Sequence, residues 1–116
     1  MTAKRYYCAV ELAVDVIGGK WKPVILAYLK EGVHRYGELR RRMPGVSEKM
    51  LTQQLRELVA DGLVRRESLD ARVPHVEYRL TPEGEELGPA LTALYAWGER
   101  RAAARGIAFE PVPDPA

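Results

Sequence analysis

Cysteine is almost absent from the sequence, which has only Cys8 among its 116 residues. No disulfide can form within one chain, and a lone cysteine agrees with a reducing compartment, leaving either a free thiol or a bridge between chains. Long apolar runs are also missing, because no uncharged stretch approaches the roughly 20 residues that cross a bilayer. Residues 1–7 contain Lys4 and Arg5 but no apolar core or cleavage site of a signal peptide, so we expect a cytoplasmic protein without membrane contact.

Motifs for catalysis and metal binding are missing too. The sequence has two histidines, His34 and His75, and no Cys-x-x-Cys, His-Glu-x-x-His, Gly-x-Ser-x-Gly or phosphate-binding glycine loop. The acidic residues Glu83, Glu85 and Glu86 are better explained by their favourable interaction with a helix N-terminus than by acid-base chemistry. We therefore expect a protein that is not an enzyme and needs no metal or cofactor.

The excess of positive charge is small over the whole chain but unevenly distributed along it. Lysine and arginine number 18 against 16 acidic residues, a net charge of +2. Residues 20–80 carry 13 basic and 8 acidic side chains, whereas residues 81–116 carry 3 and 6. A basic middle segment indicates a face that meets a polyanion, although so modest an excess also fits a solvated surface.

The spacing of apolar residues predicts a series of helices in a single domain over residues 1–105, followed by a flexible, proline-containing tail over residues 106–116. The first three helices are expected over residues 10–17, 20–31 and 36–43, each ended by glycine or proline. Ser47 is placed to cap a longer fourth helix that ends at Gly62. The apolar stripe of this helix comprises Leu51, Leu55, Leu58 and Val59. Thr81 and Pro82 open a last helix that runs to about residue 104.

Two β-prone segments separate the fourth and last helices. Residues 63–69 and 76–80 are joined by a polar connection over residues 70–75, which predicts a two-stranded hairpin. Helices, a long capped helix, a hairpin and a final helix follow the order of a winged helix-turn-helix protein. We therefore expect a mainly α fold with a small β-hairpin as the wing.

Seven segments in this order resemble one family, the HxlR-type bacterial transcriptional regulators, which are winged-helix relatives of the MarR proteins. The resemblance covers about residues 8–101. The segments are CAVE (8–11), DVIGGKW (15–21), RYGELR (35–40), PGVSEKMLT (44–52), LREL (55–58), DGLV (61–64) and VEYRLT (76–81). The resemblance implies a homodimer built by the first and last helices, with each fourth helix in a major groove of double-stranded DNA and each wing over the neighbouring backbone.

Within that architecture the outward face of the fourth helix is expected to contact DNA. Lys49 suits guanine, Gln53 can bind adenine with two hydrogen bonds, and Thr52 or Met50 can touch a thymine methyl group. Phosphate contacts are expected from Ser47, Arg35, Arg56, Arg72 at the wing tip and, from the arginine run at residues 40–42, Arg41. His75 is either a further wing contact or only a turn residue.

The last helix carries more large apolar side chains than a small domain easily buries, which indicates a dimer interface. The residues expected there are Val10 and Val14 of the first helix and Leu87, Leu91, Leu94, Tyr95 and Trp97 of the last. The alternative is that this stripe folds back onto its own subunit.

Cys8 occupies the position of a cysteine that a subgroup of the resembled family uses to sense electrophiles and oxidants. Lys4, Arg5 and the start of the first helix would favour a reactive thiolate, whereas a simply packed cysteine is the alternative. Ala9 stands where proline often follows this cysteine in the family, which leaves the local backbone less defined.

Two other functions remain open from the sequence. One is a winged-helix module that binds a protein through the same fourth helix or wing, although the polar, basic face suits phosphate better. The other is a regulator controlled by a small ligand between the winged domain and the dimer helices. The aromatic residues considered for such a pocket are Trp21, Tyr28, Tyr95 and Trp97.

Overall fold

The computed structural model describes residues 5–68, 72 and 75–110 and has the predicted, mainly helical architecture. The helices are α1 (Ala9–Ile17), α2 (Lys22–Glu31), α3 (Tyr36–Arg42), α4 (Glu48–Ala60), α5 (Pro82–Glu85) and α6 (Gly88–Arg105). The strands are β1 (His34–Arg35), β2 (Val64–Ser68) and β3 (Val76–Leu80). None of the helices in the described part of the chain is long and apolar enough to span a bilayer.

The core lies between α2, α3 and α4. Leu51, Leu55 and Leu58 recur every three or four residues of α4, so they share one face, and all three are buried. They pack in one cluster with Ile25 and other apolar residues of α2 and α3. This face fixes how α4 sits on the domain, and therefore which of its side chains point outward.

Val59 does not belong to that buried stripe, which corrects the prediction. It is 36% exposed, whereas the preceding Leu58 is fully buried. One residue along a helix rotates the side chain by about 100°, which takes Val59 off the inner face. Val59 instead lines a surface groove between α4 and β2.

Helix capping follows the sequence signals. The Ser47 hydroxyl accepts a hydrogen bond of 3.0 Å from the Met50 amide at the start of α4. The Thr81 hydroxyl accepts one of 3.1 Å from the Gly84 amide at the start of α5. Beyond the end of α4, Gly62 has a φ of 77°, a left-handed conformation that glycine adopts without a steric penalty. These caps confirm the predicted starts and the predicted stop.

The wing belongs to a three-stranded antiparallel sheet in the order β1-β3-β2 rather than to a hairpin alone. The predicted hairpin is formed by β2 and β3, and β1 adds to the other edge of β3 by pairing His34 with Tyr78 and Arg35 with Glu77. A strand of two residues is too short to show alternation, so only tertiary pairing reveals it. Most of the expected wing connection, residues 69–71, 73 and 74, lies outside the described residues.

The last helix is interrupted, which corrects the prediction of one continuous helix. The short α5 ends at Glu85, and α6 begins at Gly88. In the tight turn between them, the Leu87 amide donates a hydrogen bond of 3.1 Å to the Gly84 carbonyl. Pro89 explains the break, because proline has no amide hydrogen and its ring clashes with the carbonyl four residues earlier. Beyond the break, α6 packs against α2.

Candidate nucleic-acid interface

The outward face of α4 carries the predicted base-reading side chains. Lys49, Met50, Thr52, Gln53 and Arg56 are all exposed, because the leucine stripe turns the opposite face of the helix away from the core. Ser47 is exposed at the start of the helix, where unpaired backbone amides can also meet phosphate. The structure therefore brings six of the predicted DNA-contacting residues to one helix.

Two of these side chains have hydrogen-bond partners that restrict them. Thr52 donates to the Tyr36 hydroxyl at 3.4 Å, and Tyr36 donates to the Glu48 carbonyl at 3.2 Å. Tyr36 also packs against the core. Thr52 is thus oriented by α3.

Gln53 is held by Glu57, which was not among the predicted site residues. The Gln53 amide donates to Glu57 Oε2 at 3.1 Å, and Lys22 Nζ of α2 donates to Glu57 Oε1 at 2.8 Å. The Lys22 hydrogen bond, followed by that of Gln53, holds the pKa of Glu57 below its ordinary value. The i,i+4 spacing of Gln53 and Glu57 could have signalled their contact, but Lys22 lies too far away in sequence for any local pattern to reveal it.

Arg35 and His75 meet although they are 40 residues apart. Arg35 Nη2 donates to His75 Nδ1 at 2.8 Å, and His75 Nε2 lies 3.1 Å from Glu77 Oε2. The Arg35 amide is also satisfied by Glu38 Oε1 at 2.9 Å, which fixes the start of α3. The pairing of β1 with β3 thus joins two predicted DNA contacts, one before α3 and one at the wing.

Strand alternation separates two neighbouring arginines of β2. Arg65 lies 3.6 Å from Glu67, within a group of ion pairs that also includes Arg79 and Glu77. Arg66 points to the other face, where it lines a groove of about 400 Å³ together with Arg56 of α4. Within the described residues no acidic side chain pairs with Arg66. Arg66 was not among the predicted DNA contacts, although the period of two along a strand could have distinguished it from Arg65.

The arginine run at the end of α3 likewise contains one residue that is paired within the protein and one that is exposed. Arg42 is used within the protein, because its guanidinium makes two hydrogen bonds of 3.0 Å with Glu31 and lies over the Tyr28 ring. Arg41 is exposed, as a phosphate contact requires. At the wing, Arg72 is exposed as well.

The residues predicted for a dimer interface fall into two groups. Val10 and Val14 are exposed on α1, which has no buried residue, and Leu94, Tyr95 and Trp97 are exposed on α6. Leu91 is only 5% exposed and belongs to the core, and Leu87 is partly buried against it, so their assignment to the interface stays a prediction. The turn between α5 and α6 directs these two side chains inward.

Cys8 is exposed and occupies the N-cap position of α1, with no hydrogen bond from its side chain to the helix. The prediction that it directly precedes the first helix is confirmed.

Among the aromatic residues considered for a ligand pocket, Tyr28 and Tyr95 line one groove of about 310 Å³ between α2 and α6. Trp21 instead packs against the core, and Trp97 is exposed.

A capped helix with a polar outward face, followed by a wing, defines a winged helix-turn-helix protein. The chain belongs to the HxlR-like helix-turn-helix family, whose model matches residues 16–105. It is 50% identical over 98 residues to the HTH-type transcriptional regulator YtcD of Bacillus subtilis, covering 84% of this chain and 78% of YtcD. The predicted identification as an HxlR-type transcriptional regulator is confirmed.

Solved structures of similar proteins show the same fold. The redox regulator HypR in its reduced form is 43% identical, with a TM-score of 0.80 over 85% of this chain and 99% of that one. The quinone-bound YodB from Bacillus subtilis is 28% identical, with a TM-score of 0.66 over 78% of this chain and 96% of YodB.

Proposed function

We propose that this regulator acts in the cytoplasm as a homodimer that binds a pseudo-palindromic operator. It regulates through this binding and catalyses no reaction. Each protomer places α4 in a major groove and the β2–β3 wing over the adjacent backbone. Two-fold symmetry then requires two half-sites about one helical turn apart, ~34 Å. The observation that carries this proposal is the exposed face of α4, where Lys49, Gln53 and Arg56 stand on the side opposite the buried leucines.

Within this interface the side chains divide by chemistry. Gln53 and Lys49 read base edges, with Met50 and Thr52 as apolar contacts. Arg56, Arg66 and Arg41 neutralise phosphates, and Arg35, Arg72 and His75 contact the backbone beside the wing. Ser47 and the free amides at the start of α4 add a further phosphate contact.

The dimer is supported by apolar surface that one protomer leaves uncovered. Tyr95 and Trp97 are 69% and 57% exposed, and the apolar residues Val10 and Val14 of α1 are uncovered too. Large exposed apolar side chains on two terminal helices are typical of an interface. We therefore assign α1 and α6 to contact between two copies of the chain.

Selection of duplexes from a randomised DNA library by the purified, reduced protein tests this function. Enrichment of a two-fold symmetric motif at near-physiological salt is the expected result. Arg72→Ala should then weaken binding to every sequence, whereas Gln53→Ala should change the preferred base. If a folded sample enriches no motif and its affinity for DNA does not fall as salt is raised, the protein-binding alternative replaces the proposal.

We also propose that Cys8 is the residue through which DNA binding is regulated. Its thiol is exposed at the N-cap position of α1, where an oxidant or electrophile can reach it. Support comes from the similar regulators, HypR as a redox regulator and YodB as a quinone-bound structure. Treatment with a quinone or a thiol oxidant should release DNA from the wild type but not from Cys8→Ser. Equal release from both proteins would exclude Cys8 as the sensor.

A further inference from the structure

A chain of two hydrogen bonds connects the interior of the domain to the outward face of α4. Lys22 is 9% exposed at the start of α2, and its ammonium donates to Glu57 Oε1 at 2.8 Å. The other carboxylate oxygen of Glu57 accepts from the Gln53 amide at 3.1 Å. Glu57 thus connects the largely buried ammonium of Lys22 to the outward-facing amide of Gln53.

The ionised state of Glu57 is favoured by these contacts. The hydrogen bond from Lys22, and then that from Gln53, keeps the pKa of Glu57 below its ordinary value. A carboxylate can only accept hydrogen bonds, so it selects the amino end of the Gln53 amide and repels the carbonyl end. The two ends of Gln53 are therefore distinguished before DNA arrives.

This orientation leaves Gln53 with the groups that a base requires. The amide has two N–H bonds, of which Glu57 takes one, and a carbonyl oxygen that remains able to accept. Adenine recognition by glutamine needs one donor for N7 and one acceptor for the N6 amino group. A glutamine already held in one orientation also loses less conformational freedom on binding than an unrestrained one.

We propose that Glu57, held by Lys22, is a positioning residue for base recognition, which fixes the amide of Gln53 so that it reads one base pair in each half-site. This inference rests on the proposed function of α4. It assigns no direct contact with a base to Glu57 or Lys22. The specificity of the outward face is therefore set in part by a residue of α2 that does not face DNA.

The experiment measures affinities for operator duplexes carrying each of the four base pairs at every position of a half-site, at fixed salt. Gln53→Ala identifies the position that Gln53 reads, where its preference should fall by roughly tenfold. Glu57→Ala should lower the preference at the same position by about threefold or more, and at no other position. The double variant Gln53→Ala/Glu57→Ala should show no greater loss of base preference than Gln53→Ala alone.

Removing Glu57 alone leaves the ammonium of Lys22 without its partner, so stability must be separated from recognition. The pair is therefore also removed together in Lys22→Met/Glu57→Ala, and thermal unfolding is measured for every variant. Asp61→Ala is the matched control, because it removes an exposed carboxylate from the C-cap of the same helix. Any general gain in affinity from losing a negative charge should appear equally in this control and leave base preference unchanged.

The outcomes separate the inference from the function on which it rests. If both Glu57 variants keep the full preference of the wild type and only their unfolding temperatures change, Glu57 merely joins α2 to α4 and the inference is wrong. If the wild type itself shows no base preference, the proposed function of α4 fails, and the inference fails with it.

Discussion

Arg42 Nη1 lies 3.0 Å from His34 Nε2, and this contact joins the end of α3 to strand β1. His34 Nδ1 lies 2.8 Å from the Gly32 carbonyl, so the hydrogen-bond partners assign the proton to Nδ1 and leave Nε2 as the acceptor. The same guanidinium pairs with Glu31 and lies 3.9 Å from the centre of the Tyr28 ring. One side chain of α3 therefore contacts both α2 and β1.

Arg42→Lys should lower the free energy of unfolding by about 1–2 kcal/mol, although it keeps the charge. Lysine cannot reproduce the paired hydrogen bonds to Glu31 together with the contact to His34, because it lacks the planar guanidinium. Urea unfolding followed by circular dichroism measures the change. Arg41→Lys is the neighbouring control and should leave stability nearly unchanged. Equal effects of the two substitutions would show that Arg42 does not hold these elements together.

Glu57 should give stability a distinct pH dependence. Its pKa is lower in the folded protein than in the unfolded chain because of the Lys22 and Gln53 hydrogen bonds. The stabilisation is therefore complete above the ordinary carboxyl pKa of about 4.3 and is lost as the pH falls through the lower folded value. The difference in unfolding temperature between the wild type and Glu57→Gln should be largest near neutral pH and shrink below about pH 4. A difference that stays constant over this range would contradict the assignment.

Leu91 and Trp97, both on α6, should differ in what their removal disrupts. Leu91→Ala opens a cavity in the core and should cost about 2–5 kcal/mol of stability. Trp97→Ala removes an exposed ring, so the helical circular dichroism spectrum of the protomer should be retained while the dimer weakens. Sedimentation at several protein concentrations measures the dimer, and circular dichroism measures the fold. A Trp97→Ala dimer as tight as that of the wild type would place the interface elsewhere.

Arg66 and Arg65 should differ in their contribution to DNA affinity. Arg66 shares a groove with Arg56, whereas Arg65 lies beside Glu67 on the opposite face of the sheet. Arg66→Ala should weaken binding to all sequences and reduce the slope of log affinity against log salt by about 1. Arg65→Ala is the matched control and should change the slope little. A larger slope change for Arg65→Ala would mean that the other face of the wing meets DNA.

Local sequence signals predicted the elements that local interactions stabilise. The start of α4 at Ser47 and the inward leucines followed from capping chemistry and helical periodicity, and both are present in the structure. Because the buried face fixes the opposite one, the same periodicity also identified Lys49, Gln53 and Arg56 as exposed. By contrast, β1 has only two residues, and it forms a strand because β3 offers it hydrogen-bond partners.

The sequence by itself determined the start and the end of α4, its outward face and, through its combined motifs, the family. These features depend on residues within a few positions of one another, or on an order of segments that can be read directly. Only the tertiary structure placed Leu91 in the core, joined Lys22 to Glu57 and brought Arg35 to His75. Such pairs are distant along the chain and meet because of how the helices and strands pack, so no local periodicity could have revealed them.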